Sequence, residues 1–118
     1  MARLRVRVHL DAGGHVGPGR ADLLAHIATH GSIAAAGRAM GMSYRRAWEL
    51  VEALNDAFNA PLVQTAHGGA RGGGASLTPL GEEVLQRYRA IVDAATQATT
   101  ANLVALQALA PPPARKPD

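Results

Sequence analysis

The stretch "SIAAAGRAMGMSYRRAWEL", residues 32–50, is the part of the chain that indicates the fold most directly. Its first half is built of small residues and predicts a short helix over 32–41, which begins at Ser32 and ends at Gly41. After the turn, Ser43 is suited to cap a longer helix that reaches about Phe58. The apolar side chains of this longer helix share one face: Ala47, Leu50, Val51, Leu54 and Phe58. Two helices joined by a tight glycine turn are typical of a helix-turn-helix.

The first turn of the longer helix contains Arg45 and Arg46, an unfavourable place for a cation. The positive end of the helix dipole lies there, and each cation costs about 0.3–1 kcal/mol unless a negative group faces it. DNA phosphates and guanine edges are negative or accepting groups that arginine contacts bidentately. Glu49 is either a surface partner of Arg45 at i,i+4, which we favour, or an acceptor for a cytosine amine. The predicted DNA contact therefore lies within residues 43–49.

The segments upstream of this motif predict a strand, a turn and a helix. "RLRVRVHL" (3–10) alternates strictly, which predicts a half-buried strand with Arg3, Arg5 and Arg7 on its basic face. We expect this face to protect an exposed sheet edge, ahead of a second phosphate contact or a dimer surface. Residues 11–19 are rich in glycine and predict a turn. Residues 20–31 predict a helix that ends at Gly31. Its predicted inner residues are Leu23, Leu24, Ile27 and Ala28.

The segments downstream predict a hairpin and a long helix. "PLVQT" (61–65) and "SLT" (76–78) flank a loop with five glycines, which together predict a hairpin able to join the N-terminal strand in a three-stranded sheet. Thr78, Pro79 and Glu82 are typical of the start of a helix, which we extend to about Leu109. Its stripe at three- and four-residue steps suits packing against an identical helix: Leu85, Tyr88, Val92, Ala95, Thr99, Leu103 and Leu106.

The predicted fold is mainly α with a small β-sheet: a winged helix-turn-helix with an N-terminal strand, a glycine-rich wing and a long C-terminal helix. Residues 1–110 form one DNA-binding and dimerisation domain, and 111–118 a disordered proline-rich tail. In such a fold the third helix enters the major groove, and a dimer spaces two of them roughly 34 Å apart. The predicted DNA-binding residues are Ser32, Ser43, Tyr44, Arg45, Arg46, Trp48, Glu49, His67 and Arg71. Trp48 suits either packing or a groove-edge contact.

The amino-acid composition limits which other functions we expect for this chain. The net charge is +3, and eleven of the twelve basic residues are arginine, which suits phosphate binding or reflects GC-rich codon usage. Without cysteine, a signal peptide or a membrane span, the chain is expected to be cytoplasmic. His26 and His30 have a metal-ligand spacing, but no third ligand is evident, so no metal is expected. No catalytic motif and no nucleotide-binding loop is present, so we expect neither an enzyme nor a cofactor.

Two segments resemble a known family: "GSIAAAGRAMGMSYRRAWELVEALN" (31–55) and "PLVQTAHGGARGGGASLTPLGEEVL" (61–85) are similar to the DNA-binding domain of ModE-type molybdate-responsive regulators, itself similar to the LysR-type helix-turn-helix. The resemblance implies a homodimeric, sequence-specific regulator in which residues 43–46 and Trp48 head the recognition helix and the wing lies beside DNA. ModE proteins carry C-terminal molybdate-binding domains, whereas this sequence ends in "PPPARKPD", so direct molybdate sensing is not expected. The alternative is an interaction module that works with a separate molybdate-binding or other effector protein.

Overall fold

The computed structural model describes residues 2–69 and 72–112. In this part of the chain four helices accompany two short antiparallel hairpins, so the prediction of a mainly α fold with a small amount of β structure is confirmed. The elements in chain order are β1 (Val8–His9), β2 (His15–Val16), α1 (Pro18–His30), α2 (Ile33–Ala39), α3 (Tyr44–Phe58), β3 (Val63–Gly69), β4 (Gly72–Leu77) and α4 (Pro79–Leu109).

Helices α1, α2 and α3 enclose the centre of the hydrophobic core. Its fully buried large side chains are Leu23, Leu24, Ile27, Val51, Leu54 and Leu62. The small residues of α2 allow close packing: a Cβ added to Gly37 would lie 3.3 Å from the Cβ of Ala47 on α3. One predicted inner residue of α1 is wrong, because Ala28 is exposed and Ala21 is buried instead. Ala21 lies on the first turn, which faces α4 and the N-terminal segment.

The predicted end of α1 and the predicted starts of α2 and α3 are confirmed, whereas α2 ends at Ala39, before the predicted Gly41. Gly31 has a left-handed φ of 72° and donates its N–H to the carbonyl of Ile27, which ends α1. The hydroxyl oxygen of Ser32 accepts from the N–H of Ala35 at 3.0 Å, and that of Ser43 from the N–H of Arg46 at 3.0 Å. These caps fix the start of α2 and α3 and therefore set the angle at which α3 leaves the core.

The wing is a β3–β4 hairpin with Val63 opposite Leu77. Its strands are longer than predicted, since residues 66–69 and 72–75, expected in the loop, continue the strands. The hairpin is attached to the end of α1 by a 2.8 Å hydrogen bond from the N–H of Ala75 to the carbonyl of Gly31. The wing therefore starts beside the turn that leads into α2.

The N-terminal segment differs most from the prediction. Only Val8–His9 forms a strand, and its partner is His15–Val16 rather than the wing, so no three-stranded sheet is found among the described residues. Gly13 and Gly14 adopt φ values of 104° and 84°, which reverse the chain immediately after β1. The predicted alternation persists, with the basic side chains exposed and the apolar ones half-buried.

Helix α4 begins under the wing and then leaves the core. Thr78 caps it by accepting from the N–H of Gly81 at 3.0 Å and also donates to the carbonyl of Pro61 at 2.8 Å. Its buried side chains all lie within its first ten residues, namely Val84, Leu85 and Tyr88, and later residues are at most half-buried. The hydroxyl of Tyr88 donates to the carbonyl of Val6 at 2.6 Å, which ties the N-terminal segment to α4. None of the helices in residues 2–69 and 72–112 combines the length and apolarity that a membrane span requires.

Candidate nucleic-acid interface

The first turn of α3 is an exposed basic surface. Ser43, Tyr44, Arg45 and Arg46 are all exposed, and Tyr44 leaves 56% of its surface accessible. No acidic residue lies in this turn, so the helix dipole is opposed by two cations rather than balanced by an anion. The opposite face of the same helix buries Ala47, Val51 and Leu54, which holds the basic turn in place.

Glu49 is the partner of both arginines. The Nε of Arg45 lies 3.3 Å from one carboxylate oxygen of Glu49, and NH1 of Arg46 lies 3.4 Å from the other. The predicted i,i+4 pair is therefore confirmed, with a second pair that the sequence reasoning did not include. These pairs are exposed and contribute at most about 1 kcal/mol each. Each guanidinium carries five N–H donors, so one contact with Glu49 leaves donors for an additional acceptor.

Trp48 is half-buried and packs against the core, while its ring meets that of Tyr44 edge to face with centroids 6.2 Å apart. Trp48 therefore contributes to packing against the core, whereas Tyr44 stays exposed. A groove-edge contact of Trp48 stays a prediction. The hydroxyl oxygens of Ser32 and Ser43 accept from helix N–H groups, and each hydroxyl keeps its own hydrogen to donate.

The predicted wing contacts are only partly located. His67 lies on β3 by its backbone, and Arg71 lies outside the described residues. Their contact with DNA stays a prediction. The rings of His26 and His30 stack with centroids 5.4 Å apart on α1, away from the motif. Within residues 2–69 and 72–112, no group of three or more His, Asp or Glu side chains is arranged to hold a metal ion.

One basic residue near the interface was missed by the sequence reasoning. Arg20, on the first turn of α1, donates from NH1 to the carbonyl of His15 at 3.1 Å. Partial burial, then the charges of Arg46 and Arg7, lower the pKa of Arg20 below its usual range. Arg20 is therefore close enough to the first turn of α3 for the two charges to repel. Residues 11–19 predict only a turn, and Arg20 begins the predicted helix 20–31. No local signal in the sequence indicates that this helix start lies near α3.

Comparison with known proteins identifies the family. The profile of bacterial regulatory helix-turn-helix proteins of the lysR family matches residues 20–82, more than half of the chain. The chain belongs to this family. The match runs from the start of α1 through α2, α3 and the wing to the first turn of α4. The residues described above therefore occupy the helix-turn-helix of a bacterial regulatory protein.

Individual relatives confirm the resemblance to ModE-type regulators. Molybdenum-pterin-binding protein MopB of Rhodobacter capsulatus is 49% identical over 79 residues, covering 67% of this chain and 29% of MopB. The transcriptional dual regulator ModE of Escherichia coli K12 is 42% identical over 71 residues, 60% of this chain and 27% of ModE. The chain thus spans less than a third of the length of these relatives.

A solved structure supports the fold. The CbnR DNA-binding domain, crystallised as a complex with DNA, superimposes with a TM-score of 0.58 at 22% identity. The superposition covers 75% of this chain and 95% of that domain. The winged helix-turn-helix fold predicted for this chain is therefore confirmed.

Proposed function

We propose that residues 1–110 form one DNA-binding and dimerisation domain of a sequence-specific transcriptional regulator, with residues 111–118 as a proline-rich tail. The observation that carries this proposal is the exposed first turn of α3, where Ser43 caps a helix that opens with Arg45 and Arg46. No catalytic function is proposed, and as a regulator of transcription the protein acts in the cytoplasm.

In this proposal the first turn of α3 enters the major groove. Arg45 and Arg46 contact guanine edges or phosphates with the donors that Glu49 leaves unused. An anion at this position also relieves the conflict between the two cations and the helix dipole. Tyr44 is exposed beside them, and the hydroxyls of Ser43 and Ser32 are placed at two helix starts, where they donate to phosphate or base acceptors.

The wing supplies a second contact. The β3–β4 hairpin begins beside Gly31, at the turn between α1 and α2, so its strands project from the motif itself. We assign His67 and Arg71 to contacts with the DNA backbone or the minor groove, which position the protein without reading sequence.

An exposed apolar stripe on α4 supports the proposed homodimer. Leu80, Ile91, Leu106 and Leu109 are 36%, 43%, 63% and 82% exposed. They lie on one face of α4. Ile91 and Leu109, for example, are 18 positions apart, which corresponds to five complete helical turns. The stripe predicted from the sequence differs in part from this exposed stripe. Its residues Val92, Ala95, Thr99 and Leu103 are half-buried. The N-terminal residues 2–4 line a groove that includes Leu103. We propose that the exposed stripe packs against the same stripe of a second copy.

A second candidate function is a protein-interaction module for a separate effector-binding partner, such as a molybdate-binding protein. The observation that favours it is an apolar groove of about 320 Å³ between β1, β2 and α4, lined by Val8, Leu10, Val16, Phe58 and Ile91 among others. Salt distinguishes the two functions, because phosphate binding weakens steeply with added salt and an apolar interface does not.

The test of DNA binding is fluorescence anisotropy with a pool of random-sequence duplexes, followed by selection and sequencing of the bound fraction. The measurement is made at two salt concentrations, with and without molybdate. We expect a two-fold symmetric motif to be enriched and the affinity to fall as salt rises. Weak binding at low salt with no enriched sequence would contradict the proposal and favour the protein-interaction module.

The test of dimerisation is analytical ultracentrifugation of Leu106→Glu. A carboxylate on the exposed stripe is desolvated in the proposed dimer, so this variant is expected to be monomeric at concentrations where the wild type is dimeric. Gln97→Glu adds the same charge on another face of α4, where the residue is exposed, and is the matched control. Equal association of both variants and the wild type would place the dimer contact elsewhere.

A further inference from the structure

We propose that Arg7 and Arg20, together with Arg46, form a second phosphate-binding site that holds the DNA backbone beside the major-groove contact of α3. This site joins three separate segments: the residue before strand β1, the first turn of α1 and the first turn of α3. The inference rests on the proposed DNA-binding function and adds the β1–β2 hairpin to the contact surface.

The hairpin fixes the position of Arg20. Its guanidinium donates one hydrogen bond to the carbonyl of His15 on β2, at 3.1 Å, and His15 lies three positions before the first residue of α1. A bond from one end of the guanidinium orients the group and leaves the other N–H donors for an acceptor. Arg20 is half-buried, so its position is held by packing as well as by this bond.

Arg7, the residue before β1, approaches the same point. A Cβ added to Gly17 would lie 3.8 Å from the Cβ, Cγ and Nε atoms of Arg7, so the side chain of Arg7 passes over the residue that precedes α1. Arg7 is exposed, and its charge contributes to the lowered pKa of both Arg20 and His15.

Helix α3 carries Arg46 to the hairpin side of the motif. A Cβ on Gly14, in the hairpin turn, would meet the Cβ of Ala57, so the hairpin packs on the face of α3 that contains Ala57. Arg46 lies 11 residues earlier, which is close to three complete turns, and therefore shares that face. The charge of Arg46 is accordingly the larger of the two charge effects on Arg20.

Two of the three cations have no acidic partner among the described residues, and the third, Arg46, shares Glu49 with Arg45. Among residues 2–69 and 72–112, ion pairs are found for Arg45, Arg46 and Arg87, but not for Arg7 or Arg20. Glu49 is shared by two arginines, so its single charge leaves an excess of positive charge at this end of α3. Repulsion of this kind is relieved by a bound anion, and a phosphate diester supplies two acceptor oxygens with one negative charge.

The arrangement favours the backbone of DNA over a small free oxyanion. Arg7 and Arg46 are exposed and Arg20 is half-buried, so the cations lie on a surface that continues into the first turn of α3. A helix in the major groove lies between two phosphate backbones, and a basic group beside its start is placed to meet one of them. The shared chemistry is phosphate recognition, and the test below separates its two sources.

The test compares two double variants that remove the same charge. Arg7→Gln with Arg20→Gln removes the proposed site, whereas Arg3→Gln with Arg5→Gln removes two cations from the same strand face nearer α4. The affinity for a mixed-sequence duplex of about 30 base pairs is measured by anisotropy over a range of salt. We expect the first variant to lose about tenfold in affinity or more, and the slope of log K against log salt to decrease by about 2, since each phosphate contact contributes about 0.9.

The control variant is expected to lose less than about threefold, with a slope close to that of the wild type. Arg20→Lys, which retains the charge, is expected to keep most of the affinity, and thermal melting confirms that each variant is folded. If the variant of Arg7 and Arg20 behaves like the control, the second site is wrong while the proposed function stands. If the wild type itself shows no salt-dependent binding, both are wrong.

Inorganic phosphate separates the two sources of the ligand. At constant ionic strength we expect it to compete only weakly with DNA and to show no measurable binding by calorimetry at millimolar concentration. Tight calorimetric binding of inorganic phosphate that is lost in Arg7→Gln with Arg20→Gln, while DNA affinity is unchanged in that variant, would assign the site to a free oxyanion and overturn the proposal.

Discussion

The starts of α3 and α4 are built from similar capping residues but have opposite electrostatics. Both have a hydroxyl residue at the N-cap, Ser43 and Thr78, each accepting a hydrogen bond from the third helical residue at 3.0 Å. Helix α4 then has proline at its first position and Glu82 in its first turn, which suits the helix dipole. Helix α3 has two arginines in the same place and no acidic residue.

The two helix starts also differ in how closely they are packed. The first turn of α4 is packed so closely against the carbonyl of Leu62 that only glycine fits at position 81. The first turn of α3 is exposed, with 90% of the Arg45 side chain accessible. We infer that the start of α4 contributes to stability, whereas the start of α3 sacrifices stability for a negatively charged partner.

The largest effect on stability is expected from Gly81→Ala. The added Cβ overlaps the backbone oxygen of Leu62, which cannot move without displacing the wing, so we expect the free energy of unfolding to fall by about 3 kcal/mol. Denaturant titration measures this loss. Gly19→Ala in the first turn of α1 is the matched control, since a Cβ there meets nothing within 4 Å. At position 19 the added methyl group only lowers the entropy of the unfolded chain, so this variant should be neutral or more stable, and a comparable loss in both variants would contradict the packing explanation.

Removal of the two caps is expected to have a smaller effect. Thr78→Ala loses the cap and the hydrogen bond to the carbonyl of Pro61, which predicts a decrease of about 1–2 kcal/mol in the free energy of unfolding. Ser43→Ala loses only a cap and predicts about 1 kcal/mol. Thermal and urea unfolding of both variants, with Thr78→Ser as the control that keeps the hydroxyl, measures the difference. If Ser43→Ala were the more destabilised variant, the inference that the start of α4 contributes to stability while the start of α3 sacrifices it would be wrong.

Glu49→Gln tests the electrostatics of α3 without removing an arginine. The variant loses two exposed ion pairs, so we expect a change of less than about 1 kcal/mol in the free energy of unfolding. Its affinity for duplex DNA is expected to rise about two- to fivefold at low salt, because a negative charge is removed beside phosphate. Glu52→Gln, one turn further from the DNA, is the matched control. A marked loss of affinity in Glu49→Gln alone would instead indicate a direct contact between Glu49 and a base.

The smallest effect concerns pH and His15. Partial burial, followed by the charges of Arg20, Arg7 and His9, lowers the pKa of His15 below its ordinary value of about 6.5. The unfolded chain then takes up a proton first as pH falls, so stability decreases below about pH 6.5 until the folded protein is protonated as well. Unfolding of wild type and His15→Gln between pH 7.5 and 5.5 measures this, and His26→Gln is the control. An equal pH dependence in all three proteins would contradict this role of His15.

The order and ends of the main helices could be predicted because their signals are local. Ser32, Ser43, Thr78 and Gly31 each act within one turn of their own position, so the residues themselves indicate where a helix begins or ends. The pair between Arg45 and Glu49 was predicted for the same reason, since its spacing is fixed by the helix.

The N-terminal hairpin and the site around Arg20 could not be predicted because they depend on contacts that are distant in sequence. The reversal at Gly13 and Gly14 decides that β1 pairs with β2, and an alternating pattern does not identify its partner strand. The hairpin packs on α3 through Gly14 and Ala57, and the charge of Arg46 lowers the pKa of Arg20, but no periodicity in the sequence indicates this arrangement. The predicted stripe of α4 differs in part from the exposed one for a similar reason, since Ala2, Arg3 and Leu4 line a groove with its residue Leu103.

The most direct test of the account is to measure stability and DNA affinity together in Arg45→Ala with Arg46→Ala. The variant relieves the conflict with the helix dipole and loses two exposed ion pairs, so its free energy of unfolding should stay within about 1 kcal/mol of the wild type. Its affinity for the selected duplex should fall by at least about a hundredfold. Unchanged affinity, or a loss of affinity that only follows a loss of folding, would contradict the assignment of the first turn of α3 to DNA.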